Sequence, residues 1–129
     1  MFYVFPYKTV GAVAEDTPTP VLMPMTPGII HQVDVLFQDG CNHGVFVSVW
    51  DKNFQIWPSN RDENLRGNAT VTSFREFYEL EEGNTVLTAK VWATLTTVDI
   101  EVCIQVGLLP KKIIQPLSFD QLLAAAAGT

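Results

Sequence analysis

Between residues 98 and 106 the chain alternates without a break: Val98, Ile100, Val102, Ile104 and Val106 are separated by Asp99, Glu101, Cys103 and Gln105. A side-chain period of two belongs to a strand with one buried and one wet face, whereas a helix returns its apolar face every 3.6 residues. The same pattern recurs upstream. After the turn signal Pro27-Gly28, Val33, Val35 and Phe37 alternate with Asp34 and Leu36, which predicts a strand over 29–37 that Gln38-Asp39-Gly40 ends. Val45, Val47 and Val49 alternate with Phe46, Ser48 and Trp50, and Asp51-Lys52-Asn53 reads as a hairpin turn into Phe54-Gln55-Ile56-Trp57, which Pro58 stops. A polar loop over 59–68 precedes a strand start at 70–72 and a less regular 73–80. A turn over 81–85 then leads into Val86, Thr88, Lys90 and Trp92 opposite Leu87, Ala89, Val91 and Ala93. Six or seven short strands with no helix between them exclude βαβ units. The expected class is all-β: an antiparallel β-sandwich or a jelly-roll-like barrel.

The two ends depart from this pattern. Pro6, Pro18, Pro20, Pro24 and Pro27 are spread among Phe2, Tyr3, Val4, Phe5, Val21, Leu22 and Met23, with Lys8, Glu15 and Asp16 the only charges. Proline removes backbone donors and holds the chain extended, so residues 1–25 read as an extended apolar N-terminal arm. Leaving such an arm in water costs about 25 cal/mol per Å² of apolar surface. It therefore needs a cover: either its own domain, as an edge strand, or a neighbouring subunit. At the far end, Ser118 with Gln121 forms a capping-box pattern ahead of Leu122-Leu123 and four alanines, with Gly128 as a C-terminal cap. A helix of about 10 residues is marginal alone in water and needs a surface to lie on. The expected organisation is an arm over 1–25, a β-sandwich domain over 26–110 and a tail over 111–129 with a short helix.

Charge narrows the partners. The 129 residues carry 14 acidic against 8 basic side chains, a net charge of −6 with no basic stripe, which excludes the phosphate backbone as an expected partner. The charged fraction of 17% lies below the ordinary ~25%, and the shortage sits at the two ends. The first residues lack the basic start of a secretory signal, and no apolar run approaches the ~18 residues of a membrane helix. No membrane partner is expected, and synthesis in the cytoplasm is. Cys41 and Cys103 are too few for a disulfide framework, although one bridge between them stays open. Asn68-Ala69-Thr70 matches a glycosylation acceptor by chance.

Catalytic patterns are thin. His31 and His43 are the only histidine bases, no Gly-x-Ser-x-Gly elbow accompanies them, and His31 falls inside a predicted strand. Cys41-Asn42-His43 places a thiol near an imidazole, but residues two apart seldom give two ligands to one zinc, and Cys41 reads better as a small buried residue beside a glycine turn. Glu76, Glu79, Glu81 and Glu82 cluster without the cleft that paired-carboxylate hydrolysis needs. The loop Asn60-Arg61-Asp62-Glu63-Asn64 lacks the ligand order of a calcium loop. No phosphate-binding glycine motif is present. No enzyme, cofactor or metal is expected.

Aromatic side chains offer a different chemistry. Trp50, Trp57 and Trp92, with Phe74, Phe77 and Tyr78, would stack sugar rings if they stood exposed on a sheet, as in carbohydrate-binding modules. Large aromatics more often fill a core.

The block Thr26-Pro27-Gly28-Ile29-Ile30-His31, then DVLFQDGC from Asp34, QIWPSN from Gln55 and SFREFYEL from Ser73, resembles small uncharacterised proteins from the structural genes of tailed bacteriophages. These motifs look like a fold signature of turn and packing residues. The resemblance implies a virion component, made in the host cytoplasm, with a β-sandwich body. Within that class the chain looks most like a decoration, or cement, protein of the capsid, and a tail, neck or fibre-associated module uses similar parts. The expected partners are protein subunits, the major capsid protein or further copies of this chain, in an oligomeric assembly. The contact residues expected from the two ends are Phe2, Tyr3, Phe5, Val21, Leu22 and Met23, with Phe119, Leu122 and Leu123.

Overall fold

The computed structural model describes residues 1–110. They form eight strands: β1 (Phe2–Val10), β2 (Thr19–Pro24), β3 (Gly28–Phe37), β4 (Val45–Asp51), β5 (Phe54–Trp57), β6 (Thr70–Leu80), β7 (Val86–Ala93) and β8 (Val98–Leu109). The fold is all-β, in two four-stranded antiparallel sheets ordered β1-β8-β3-β6 and β2-β7-β4-β5. The predicted helix over the tail, with Ser118, Phe119, Gln121, Leu122 and Leu123, lies outside the described residues.

The pairing follows one rule. Outermost strands meet first, β1 with β8 and β2 with β7, then β3 with β6 and β4 with β5. The chain is thus a long antiparallel ribbon bent back on itself, and the contacts of β3 with β8 and β4 with β7 close it into sheets. Inner faces of both sheets share one core, with Val33, Val35, Ile104 and Val106 from one sheet and Val47, Val49, Ala89 and Val91 from the other. The period-two residues that announced the strands are these core residues.

Residues 1–25 follow the edge-strand alternative and are covered by their own domain. Phe2–Val10 and Thr19–Pro24 are the edge strands β1 and β2, one on each sheet, and Met25 is buried in the core. The Met1 amino group donates to the Leu108 carbonyl at 2.7 Å, and Leu108 N–H donates back to Met1 at 2.6 Å, so pairing begins with the first residue. The expected boundary at residue 25 falls inside one body. Proline decided the position of these strands rather than their absence: Pro6, Pro20 and Pro24 lack an N–H, and an edge strand has a side with no ladder to feed.

Several residues of the DVLFQDGC, QIWPSN and SFREFYEL segments fix loops. Asn68 Oδ1 accepts from Gly40 N–H at 2.9 Å and Asn42 N–H at 3.0 Å, and so clamps the glycine turn after β3. Buried Gln55 sends its Nε2 to the carbonyls of Pro58 at 2.9 Å, Glu63 at 3.1 Å and Asn60 at 3.4 Å, which fastens the loop between β5 and β6. Tyr78 OH donates to Asp51 Oδ2 at 2.5 Å, tying β6 to the β4 end. A Cβ on Gly28 would stand 2.6 Å from the Leu109 carbonyl oxygen, so the Pro-Gly turn signal also marks a close approach of two backbones.

Candidate functional site

Two outer faces carry the side chains that sequence singled out. On the second sheet, Phe46 pairs with Trp92, Ser48 with Lys90 and Trp50 with Thr88, all on the face away from the core. Phe46 and Trp92 stack with ring centroids 3.8 Å apart and planes 8° from parallel. Trp50 Nε1 donates to Ser48 Oγ at 2.9 Å, and Lys90 Nζ lies 4.0 Å above the Trp50 ring. Both indoles are half-buried and held before any ligand arrives. Trp57 is different: it points inward, is 2% exposed, and meets Phe74 and Tyr78 edge to face. Alternation explains the split, since Trp57 pairs with core residue Val49 while Trp50 pairs with Gln55.

An open groove of about 240 Å³ runs between Trp50 and Trp92. Ser48, Gln55 and Lys90 lie along it. Glu15, Asp16 and Pro18 line it from the β1–β2 connection, and Asp62, Glu63 and Asn64 from the loop that Gln55 fastens. The tryptophans stand out in the sequence, whereas 59–68 shows there only as a polar loop; the fold brings its Asp62, Glu63 and Asn64 beside the indoles.

On the first sheet the outer face carries one apolar row. The registers Pro6 with Cys103, Cys103 with Leu36 and Leu36 with Val71 form a row across all four strands. Phe2 and Val4 extend it along β1, and Phe2 is 68% exposed against the edge of the His31 ring. The next two rows are polar on β3 and β6, Asp34 with Ser73 and Gln32 with Arg75: Gln32 Nε2 donates to Asp34 Oδ1 at 3.1 Å and to Ser73 Oγ at 2.9 Å, and Ser73 Oγ donates to Asp34.

Of the six expected N-terminal contact residues, Phe2 and Leu22 project outward, Leu22 at 65% exposure. Tyr3, Phe5 and Val21 are half-buried against the core, and Met23 is completely buried. Consecutive residues of a strand point to opposite faces, so runs such as Phe2-Tyr3 and Leu22-Met23 are divided between partner side and core. Phe119, Leu122 and Leu123 lie outside the described residues.

Cys41 and Cys103 are both buried free thiols, so the bridge left open does not form. Burial pushes the Cys41 thiol up from its ordinary value; burial followed by the Glu101 carboxylate does the same to Cys103. His43 is exposed on the same turn as Cys41, in the left-handed region at φ 58°. No group of three His, Cys, Asp or Glu side chains among the described residues is placed to hold a metal ion. No helix among them is long and apolar enough to cross a membrane. No protein-family model matches the chain, and no curated protein matches it.

Proposed function

We propose that this chain is a non-enzymatic structural protein of a tailed-phage particle, a capsid decoration (cement) subunit that reinforces the shell through apolar surface. The observation that carries the reading is the apolar row Pro6, Cys103, Leu36 and Val71, with Phe2 and Val4, on the outer face of the first sheet. An antiparallel sheet with one face on its core ordinarily turns polar residues outward. Exposed apolar side chains gathered on the wet side, here Phe2, Val4 and Val71, are the mark of a surface that another protein covers. The strand order β1-β8-β3-β6 and β2-β7-β4-β5 is that of a jelly roll wound from one long hairpin, an architecture that capsid and lectin domains share. That analogy concerns the fold and adds to the motif resemblance without replacing it.

In this reading the partner is the major capsid protein or a further copy of this chain, the place of action is the virion, and the contact residues are Phe2, Val4, Leu36 and Val71, with Leu22 on the second sheet. A tail, neck or fibre position would use the same strip at lower copy number. Val4→Glu and Val71→Glu place charge on exposed positions of the strip without entering the core. Each is expected to weaken retention on particles by tenfold or more, about 1.4 kcal/mol, while leaving thermal unfolding close to wild type. Wild-type retention of both variants would refute the assignment of this face.

A further inference from the structure

We propose that the groove between Trp50 and Trp92 binds a short neutral oligosaccharide, an activity that goes beyond the structural role and does not depend on it. Sugars combine an apolar face of C–H groups with a rim of hydroxyls, and a site for them needs flat apolar surface beside polar groups. Trp50 and Trp92 supply the first with the indole surface that lines the groove, the opposite parts being taken by Lys90 and by the Phe46 ring. Their rows on β4 and β7 lie four residues apart along the strand, about 13 Å at 3.3 Å per residue, which suits a short chain rather than a single ring.

Polar groups converge between them. Gln55 commits its Nε2 to three loop carbonyls, and its Oε1 accepts no hydrogen bond from another described residue, so it is available to a hydroxyl. Lys90 lies over Trp50 with no carboxylate in ion-pair contact among the described residues, which leaves its ammonium hydrogens as donors. Glu15, Asp16, Asp62 and Glu63 offer carboxylate acceptors around the rim. Among the lining residues these four acids outnumber Lys90, and Arg66 stands nearby over the Phe46 ring at 5.6 Å, so the charge stays net negative and disfavours phosphate, sulfate and uronic-acid ligands. The charge thus selects neutral sugars.

Trp57 provides an internal control, because its indole lies in the core. The full-length chain, isotope-labelled, is titrated with cellohexaose, maltohexaose, mannohexaose, xylohexaose and chitohexaose, with hexagalacturonate as the anionic comparison, while the indole N–H signals are followed. At least one neutral hexasaccharide is expected to move the Trp50 and Trp92 signals and leave that of Trp57 in place. Trp92→Ala is expected to weaken that binding about tenfold or more. Because Trp92→Ala also removes the Phe46 stack, the exposed-rim double variant Glu15→Lys/Glu63→Lys is measured beside it, with a severalfold loss expected and unfolding unchanged. Absence of any indole shift with the five neutral sugars, equal binding of hexagalacturonate, or unchanged binding by the rim variant would each overturn the proposal.

Discussion

Tyr78 shows how one side chain links sheet, loop and pH. Its hydroxyl is held up to about 12 from an ordinary 10.0, first by burial and then by donation to the Asp51 carboxylate and the repulsion of that charge. The folded chain therefore keeps this proton to higher pH than the unfolded chain does. A raised folded value stabilises the native state fully below about pH 10, and that stabilisation is lost as pH climbs toward about 12. Tyr78→Phe removes both the hydrogen bond and the titration. Urea midpoints of wild type and Tyr78→Phe are expected to differ most near pH 8 and to converge toward pH 12; a constant gap would show that Tyr78 does not titrate in this way. At this scale the sequence hid more than it displayed. SFREFYEL displays Tyr78 as one aromatic among three, and nothing in its spacing points to Asp51, which is 27 residues away. Asn68 looked like a chance glycosylation acceptor and proves to be the clamp of the Gly40 turn. Local patterns record which face a side chain occupies; they do not record which distant loop its polar end reaches.

At the scale of elements, alternation was legible wherever one face of a strand met the core. The strands expected at 29–37 and 86–93 and the hairpin through Asp51-Lys52-Asn53 correspond to β3, β7 and the β4–β5 turn. β1 and β2 are legible only as one of two alternatives, an edge strand or an arm on a neighbour, because apolar residues occupy both of their faces, the inner one for the core and the outer one toward solvent, which erases the period of two. Their prolines fit an edge strand and an extended arm equally well. The consequence is testable by truncation. Removing residues 1–25 strips Met23 and Met25 from the core, uncovers Tyr3, Phe5 and Tyr7 contacts, and turns β8, a strand of 12 residues, into an open edge. The shortened chain is expected to aggregate or to lose its cooperative thermal transition. A soluble fragment that unfolds cooperatively near the wild-type temperature would show instead that β1 and β2 are dispensable covers.

For the whole molecule, wound pairing places the chain start beside the last strand and leaves two sheet faces looking outward, each with its own chemistry. One carries an apolar row; the other is a groove lined by Gln55, four acidic residues and two indoles. The low charge fraction noted at the chain ends is expressed in part through β1, whose outward residues Phe2, Val4 and Pro6 join the strip. Composition thus indicated where outward apolar surface lies, while its distribution between faces required the register. The central claim is that the protein is a repeated, stoichiometric part of a virion. Quantitative mass spectrometry of purified, assembled particles of a phage whose genome carries this sequence measures this most directly. The account predicts the chain at a fixed, high ratio to the major capsid protein; its absence from washed, infectious particles would contradict it.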